Sequence, residues 1–179
     1  MGDNGGVESV RGKLLIAAPS LFDFFRRSVV LMVEHTEEGA FGLVLNRIAE
    51  TTVGEAVPEL GALAGKEEAV RIGGPVGTDA VVVLGEFEDP AESPKQIAGP
   101  LGLVDPEGEA EVRRARVYAG HAGWGERQLE SELERDAWLV QDADPADPFR
   151  EADLWPLALQ RRGGEYALLA TMPEDPSMN

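Results

Sequence analysis

Residues 13–47 read KLLIAAPSLFDFFRRSVVLMVEHTEEGAFGLVLNR. Three apolar runs in this stretch decide the fold class. Residues 13–18 (KLLIAA) are too short for a helix of ordinary length and are stopped by Pro19, as suits a buried strand. Residues 28–34 (SVVLMVE) are rich in β-branched side chains and predict a second strand. Residues 35–39 (HTEEG) form a polar, glycine-bearing connection of hairpin length. Residues 40–46 (AFGLVLN) predict a third strand, with Gly42 marking a bulge or a close backbone approach. Pro19-Ser20-Leu21-Phe22-Asp23 reads as a loop, and the domain opens with a hairpin.

Outward from this stretch, strands and helices do not alternate. Thr52 and Glu55 have the spacing of a capping box and predict a short helix through Val57, Leu60 and Leu63, limited by Pro58. Val70-Arg71-Ile72 runs extended into Gly73-Gly74-Pro75. Residues 80–85 (AVVVLG) predict a strand, residues 86–94 an acidic loop, and residues 95–114 short strands or irregular structure. Residues 115–119 (ARVYA) predict a strand entering Gly120-His121-Ala122-Gly123-Trp124-Gly125, read as a tight connection to a helix over 126–136. Residues 138–141 look extended, and residues 142–148 (DADPADP) read as a stiff loop. Asp153 caps a helix that starts at Leu154 and ends at Gly163. Residues 166–170 (YALLA) predict a last strand. The order favours an α+β class over a doubly wound one.

A chain of 179 residues argues for one domain that builds its own core. Residues 13–170 are read as that domain, with 1–12 and 171–179 as flexible tails. The absence of cysteine excludes a disulfide scaffold, a thiol enzyme, a zinc finger and an iron–sulfur protein. Residues 1–12 lack the basic start and apolar stretch of a secretion signal, and no run approaches the ~20 residues of a membrane helix. A cytoplasmic protein without membrane attachment is expected. The net charge of −17 repels phosphate backbones. The basic clusters Arg26-Arg27, Arg113-Arg114-Arg116 and Arg161-Arg162 are short, so no direct contact with nucleic acid is expected.

Catalytic signatures are missing. There is no Gly-x-Ser-x-Gly elbow and no Ser-x-x-Lys pair. The glycines of 120–125 match neither a Walker loop nor a dinucleotide fingerprint. His35 and His121 fit no local metal signature, so no metal or cofactor is expected. His35, in a polar connection, reads as a surface residue. Polar residues and glycines do gather at predicted strand ends: Asn46-Arg47, Gly73-Gly74, and His121 with Trp124 and Gln128. A pocket joining these segments would use Arg47 for an anionic group, Trp124 as an apolar wall and Gln128 to orient the ligand.

Taken together, these segments resemble the YqgE/AlgH family of small bacterial proteins. The resemblance is carried by Pro19, Asp23 and Phe25-Arg26-Arg27-Ser28-Val29-Val30, by Glu34-His35, and by Gly39 through Arg47. It continues in Gly73-Gly74-Pro75-Val76, in Gly120-His121-Ala122-Gly123-Trp124 with Gln128-Leu129-Glu130 and Glu132, and in Trp138 and Trp155. The chain departs from the family at Phe41, where methionine is frequent, at Ile48, where proline is, and at His121, where tyrosine is. The resemblance implies a bifurcated mixed sheet, partly closed into a small barrel and flanked by a few helices. It also implies a transcriptional regulator, with no established activity, cofactor or active site. The leading expectation is therefore a regulatory module that acts indirectly, through a protein partner. The alternative is a small-molecule or anion binder, or an enzyme of unassigned reaction, at the strand-end pocket. An open sheet edge leaves room for homo-oligomers.

Overall fold

The computed structural model of the chain describes residues 9–21 and 23–172. The expectation of loose ends falls on residues 1–8 and 173–179, outside the described residues. Ser9 to Gly12, in contrast, lie on the sheet: Val10 is buried, and the Gly12 amide donates to the carbonyl of Met32 at 2.8 Å.

The N-terminal strands form as the sequence predicts. β1 (Lys13–Ala17), β2 (Val29–Thr36) and β3 (Gly39–Val44) are an antiparallel meander. Its register shifts between Met32 and Glu34, opposite Gly42. A Cβ on Gly42 would stand 2.6 Å from the carbonyl oxygen of Leu31, so glycine is required for the two strands to meet there. β2 is buried on both faces. Val29, Leu31 and Val33 enter one apolar cluster, and Val30 and Met32 enter another.

The next strands are β4 (Ile48–Thr52) and β5 (Ala69–Ile72), joined by the short helices α1 (Val53–Ala56) and α2 (Gly61–Ala64). Thr52 and Glu55 make the predicted capping box, and a single 3-10 turn at Pro58–Leu60 breaks the helix into two pieces. β6 (Val76–Phe87), β7 (Lys95–Ala98) and β8 (Leu101–Leu103) follow.

β9 (Val112–Trp124) organises the whole sheet. One edge pairs with β6 from Val112 to His121. The other edge is shared: Tyr118 and Ala119 run parallel to Arg71 and Ile72 of β5, whereas Ala122 to Trp124 run antiparallel to Ala40 to Gly42 of β3. Gly120, with φ of +75°, turns the strand between these two partners. The glycine stretch 120–124 is therefore strand, not the tight connection its composition suggests, because β6 pairs with it at His121 and β3 at Ala122 to Trp124.

β9 leads to α3 (Gln128–Glu134) and β10 (Trp138–Asp142), which closes on β1. The main sheet runs β10-β1-β2-β3-β9-β6-β8-β7, and the β5–β4 pair branches from β9. The fold is a mixed α+β one with a bifurcated sheet. Among the described residues no ladder joins β10 to β7, so the sheet is open. The partial barrel expected from the resemblance lacks its closing pair of strands.

α4 (Leu154–Arg162) covers the first cluster with Leu154, Trp155, Ala158 and Leu159, and starts at the predicted Asp153 cap. α3 covers the second cluster with Leu129. α1 and α2 set Val53 and Ala64 against Val70, Val83 and Val117 in a third. The strand expected at residues 166–170 is instead helix α5 (Glu165–Leu169). Gly163 and Gly164, both at positive φ, turn the chain back onto α4. Tyr166 and Leu169, one helical turn apart, then pack on the first cluster, so the apolar run YALLA is read by the helical period.

Candidate functional site

The strand-end residues singled out in the sequence fall into two groups on opposite faces of the sheet. Trp124 lies in the second cluster, 5% exposed. Its ring stacks on Phe25 at 6.2 Å, Phe25 meets Phe24 edge-on at 5.2 Å, and the Arg47 guanidinium sits 4.3 Å from the Phe24 ring centre. Arg47 and Trp124 thus share a face. His121 is on the other, edge-on to Phe41, which packs on the first cluster. Gly73 and Gly74 cross the β9 backbone beside it. A Cβ on Gly74 would stand 2.1 Å from the His121 carbonyl carbon, and one on Gly73 would stand 2.4 Å from the Gly120 oxygen.

Most polar atoms of these residues are engaged within the chain. Asn46 accepts from the Val29 amide and donates to the Arg27 carbonyl, both at 2.9 Å. Arg47 donates to the Arg26 carbonyl at 3.3 Å, and burial pulls its pKa below the ordinary arginine value. The Trp124 and Trp138 indoles both donate to Glu132 Oε1 at 2.9 Å. Gln128 accepts from the Gly125 amide at 3.0 Å and donates to Glu132 Oε2 at 3.4 Å. Glu132 thus ties α3 to β9 and β10.

His35 is not on the surface. It is 8% exposed, accepts from the Val10 amide at Nδ1 (3.0 Å), and places Nε2 3.0 Å from Glu130 Oε2. The accepted bond leaves Nε2 to carry the proton toward Glu130. Burial pushes Glu130 up, but its own amide and His35 pull harder, and the carboxyl lies below its usual range.

Two buried guanidiniums lie elsewhere, on the first-cluster face of β5 and β9. Arg71 and Arg116 are 7% and 6% exposed, and Tyr118 is fully buried. Arg71 stands beside Tyr118 in the parallel β5–β9 register, and Leu84 of β6 lies opposite Arg116. Arg116 is well supplied with acceptors: Glu68 Oε1 at 2.7 Å, Glu151 Oε2 at 3.1 Å and the Phe149 carbonyl at 3.3 Å. The Arg71 Nε is shielded from solvent and has no hydrogen-bond partner among the described residues. The Tyr118 hydroxyl is likewise buried without a partner.

The electrostatics follow from that arrangement. Burial depresses Arg71, and the adjacent Arg116 cation depresses it further. Tyr118, Glu151 and Glu68 act in the opposite direction. Burial raises the Tyr118 phenol well above its ordinary value, against the pull of the two guanidiniums. Tyr118 therefore stays a neutral O–H donor at physiological pH. Guanidinium is a planar fork of donors with no acceptor, and a buried donor left unpaired costs about 1–3 kcal/mol, more when charged. Among the described residues the Arg71 Nε and the Tyr118 hydroxyl are buried donors without partners, close to the Arg116 guanidinium, and donors of these kinds are the ones that bind oxyanions. Sequence reading missed these donors. The one signal was charge inside strands: Arg71 between Val70 and Ile72, and Arg116 between Ala115 and Val117.

A family model described as AlgH-like matches residues 14–167. A UPF0301 protein of Streptomyces coelicolor is 40% identical, with 97% of each chain covered. A UPF0301 protein of Mycobacterium tuberculosis is 42% identical, with 94% of this chain and 90% of the relative covered. Among solved structures, protein DIP2367 of Corynebacterium diphtheriae superposes with a TM-score of 0.84 at 32% identity, covering 94% of this chain and 95% of its own. The solution structure of AlgH from Pseudomonas aeruginosa gives 0.72 at 29% identity, covering 97% and 100%.

Proposed function

This chain belongs to the AlgH-like family, and from that premise we propose that it works as a regulatory binding module whose ligand is a small oxyanion. The ligand is held by Arg71, Arg116 and the Tyr118 hydroxyl, and its presence is passed to a protein partner. One observation carries the reading: among the described residues the buried Arg71 Nε has no hydrogen-bond partner, and it lies close to a second buried guanidinium and an unpartnered phenol hydroxyl. Leaving such a donor unpaired costs stability, and an anion that accepts from it removes that cost.

The acidity of the chain supports an indirect route to any effect on transcription, since −17 opposes a phosphate backbone. No described helix is long and apolar enough to cross a membrane. In this reading Asn46, Arg47, Trp124 and Gln128 hold the scaffold and its partner-facing surface rather than the anion.

The test is a titration with acetate, inorganic phosphate and sulfate, followed by the Nε–H resonance of Arg71 in NMR spectra. A saturable shift at millimolar concentrations or below is expected. Arg71→Gln should abolish every anion-dependent change elsewhere in the spectrum, and Tyr118→Phe should weaken it. An Arg71 resonance indifferent to all three anions would exclude the oxyanion reading.

A further inference from the structure

We infer that the anion accepted at this site is a carboxylate, and that Glu151 is an internal stand-in for it that keeps the unliganded site occupied. The inference rests on the oxyanion reading above. The chemistry is taken from the groups already there. Both side-chain acceptors that reach the two guanidiniums are carboxylates: Glu68 at 2.7 Å and Glu151 at 3.1 Å, both on Arg116. Arg116 thus already binds two carboxylates, each through one guanidinium nitrogen, and guanidinium is the group that suits a carboxylate.

The two glutamates are not equally held. The Glu68 side chain is 51% exposed and Glu151 is 84% exposed. Glu68 sits where the chain enters β5, and its backbone carbonyl accepts from the Val53 amide at 2.8 Å. Glu151 follows the 3-10 turn Asp147–Phe149 and precedes the Asp153 cap of α4. An ion pair so exposed on its acidic side is weak, because water competes for that carboxylate. Glu151 is therefore the group that leaves.

Charge counting selects the ligand. Two guanidiniums and two carboxylates balance in the unliganded site. An incoming carboxylate that sends Glu151 into water keeps that balance, and it reaches Arg71 and the Tyr118 hydroxyl, which Glu151 leaves unserved. A phosphate monoester carries close to two charges at pH 7. It would leave an excess negative charge among buried groups unless Glu68 departed as well. The site favours one carboxylate, from a small organic acid or from the free C-terminus of a polypeptide.

The experiment compares the parent protein with Glu151→Gln, Arg71→Gln and Tyr118→Phe. Each is titrated with acetate, inorganic phosphate, N-acetyl-alanyl-alanine and the amide of that dipeptide. With its internal competitor removed, Glu151→Gln should bind acetate about two- to fivefold more tightly, the worth of an exposed ion pair. Arg71→Gln should bind none. Tyr118→Phe, which keeps the packing, should bind several-fold more weakly. The dipeptide acid should bind and its amide should not. Tighter binding of the dipeptide acid than of acetate identifies a polypeptide C-terminus, and equal binding identifies a free small acid. Unchanged or weaker acetate binding by Glu151→Gln, with Arg71-dependent binding intact, overturns the stand-in role and leaves the oxyanion reading standing. Phosphate outranking acetate overturns the carboxylate class. No anion response in any variant overturns both.

Discussion

Arg71 is the residue on which structure and function pull in opposite directions. A guanidinium taken out of water without an acceptor destabilises the fold that holds it. Replacing it by an apolar side chain of similar length should therefore stabilise the ligand-free protein. Arg71→Met is expected to gain at least ~1 kcal/mol, read as a rise of about 2–4 °C in the thermal midpoint for a chain of this size. The variant should also lose the extra stabilisation that saturating acetate gives the parent. A fall in midpoint would mean that the donors of Arg71 are already served within the fold. The sequence around it, Val70-Arg71-Ile72, shows a charge in a strand but not which face is covered. That depends on Tyr118 and Arg116 of β9, which stand beside it only once the sheet has formed. His35, which reads as a surface residue in the sequence, is buried for the same reason. Its neighbours in sequence are polar, but the groups that bury and bond it, Val10 and Glu130, come from elsewhere in the chain.

Among elements, β9 shows both the strength and the limit of reading strands from pattern. Residues 115–119 alternate and are legible. Residues 120–124 consist largely of glycine and alanine, which local propensity assigns to a turn. They are extended because β3 and β6 pair with them, and they are small because backbones cross there. Gly74→Ala should fail to accumulate as folded protein, since its methyl would overlap the His121 carbonyl and the opposing group is backbone that cannot swing away. Gly163→Ala is the contrast. It has positive φ but nothing within 4 Å, and it should cost only about 1 kcal/mol in a denaturant titration. A comparable loss for both would refute the crossing as the reason for glycine at position 74.

The loop ahead of α4 depends on a single buried carboxylate. Asp147 takes a bidentate pair from Arg161 at 2.7 and 3.1 Å, Arg150 Nε at 3.0 Å and the Asp144 amide at 2.9 Å. Burial pushes its pKa up, but these donors together outweigh burial and hold it below the ordinary 3.8. A carboxyl whose folded pKa is depressed stabilises fully above its unfolded value and loses that contribution as pH falls through the folded one. Asp147→Asn should therefore lower stability at pH 7 and show a flatter stability curve below about pH 4 than the parent. Asp142→Asn, which removes an exposed pair with Lys13, serves as the control and should change little. Parallel acid limbs for parent and Asp147→Asn would show that Asp147 is not the titrating anchor.

At the scale of the whole molecule, net charge limits what can approach the site. With 33 acidic against 16 basic side chains, the field around the protein repels anions at distances where no side chain makes contact. A small carboxylate crosses that field with one charge and is then held by two guanidiniums and a hydroxyl at short range. A nucleic acid meets the repulsion along its whole length and cannot bring its backbone to a site of this size. The two cases differ in their salt dependence. A basic DNA-binding protein loses affinity as salt rises, because bound counterions are no longer released at a gain. Here repulsion reaches about 30 Å at 0.01 M salt and about 8 Å at 0.15 M, so any association with duplex DNA should weaken on dilution of salt. Mobility-shift titrations at both concentrations are expected to show no sequence-selective complex. A selective complex that tightens at low salt would reveal a basic face in three dimensions and would replace the indirect route with a direct one.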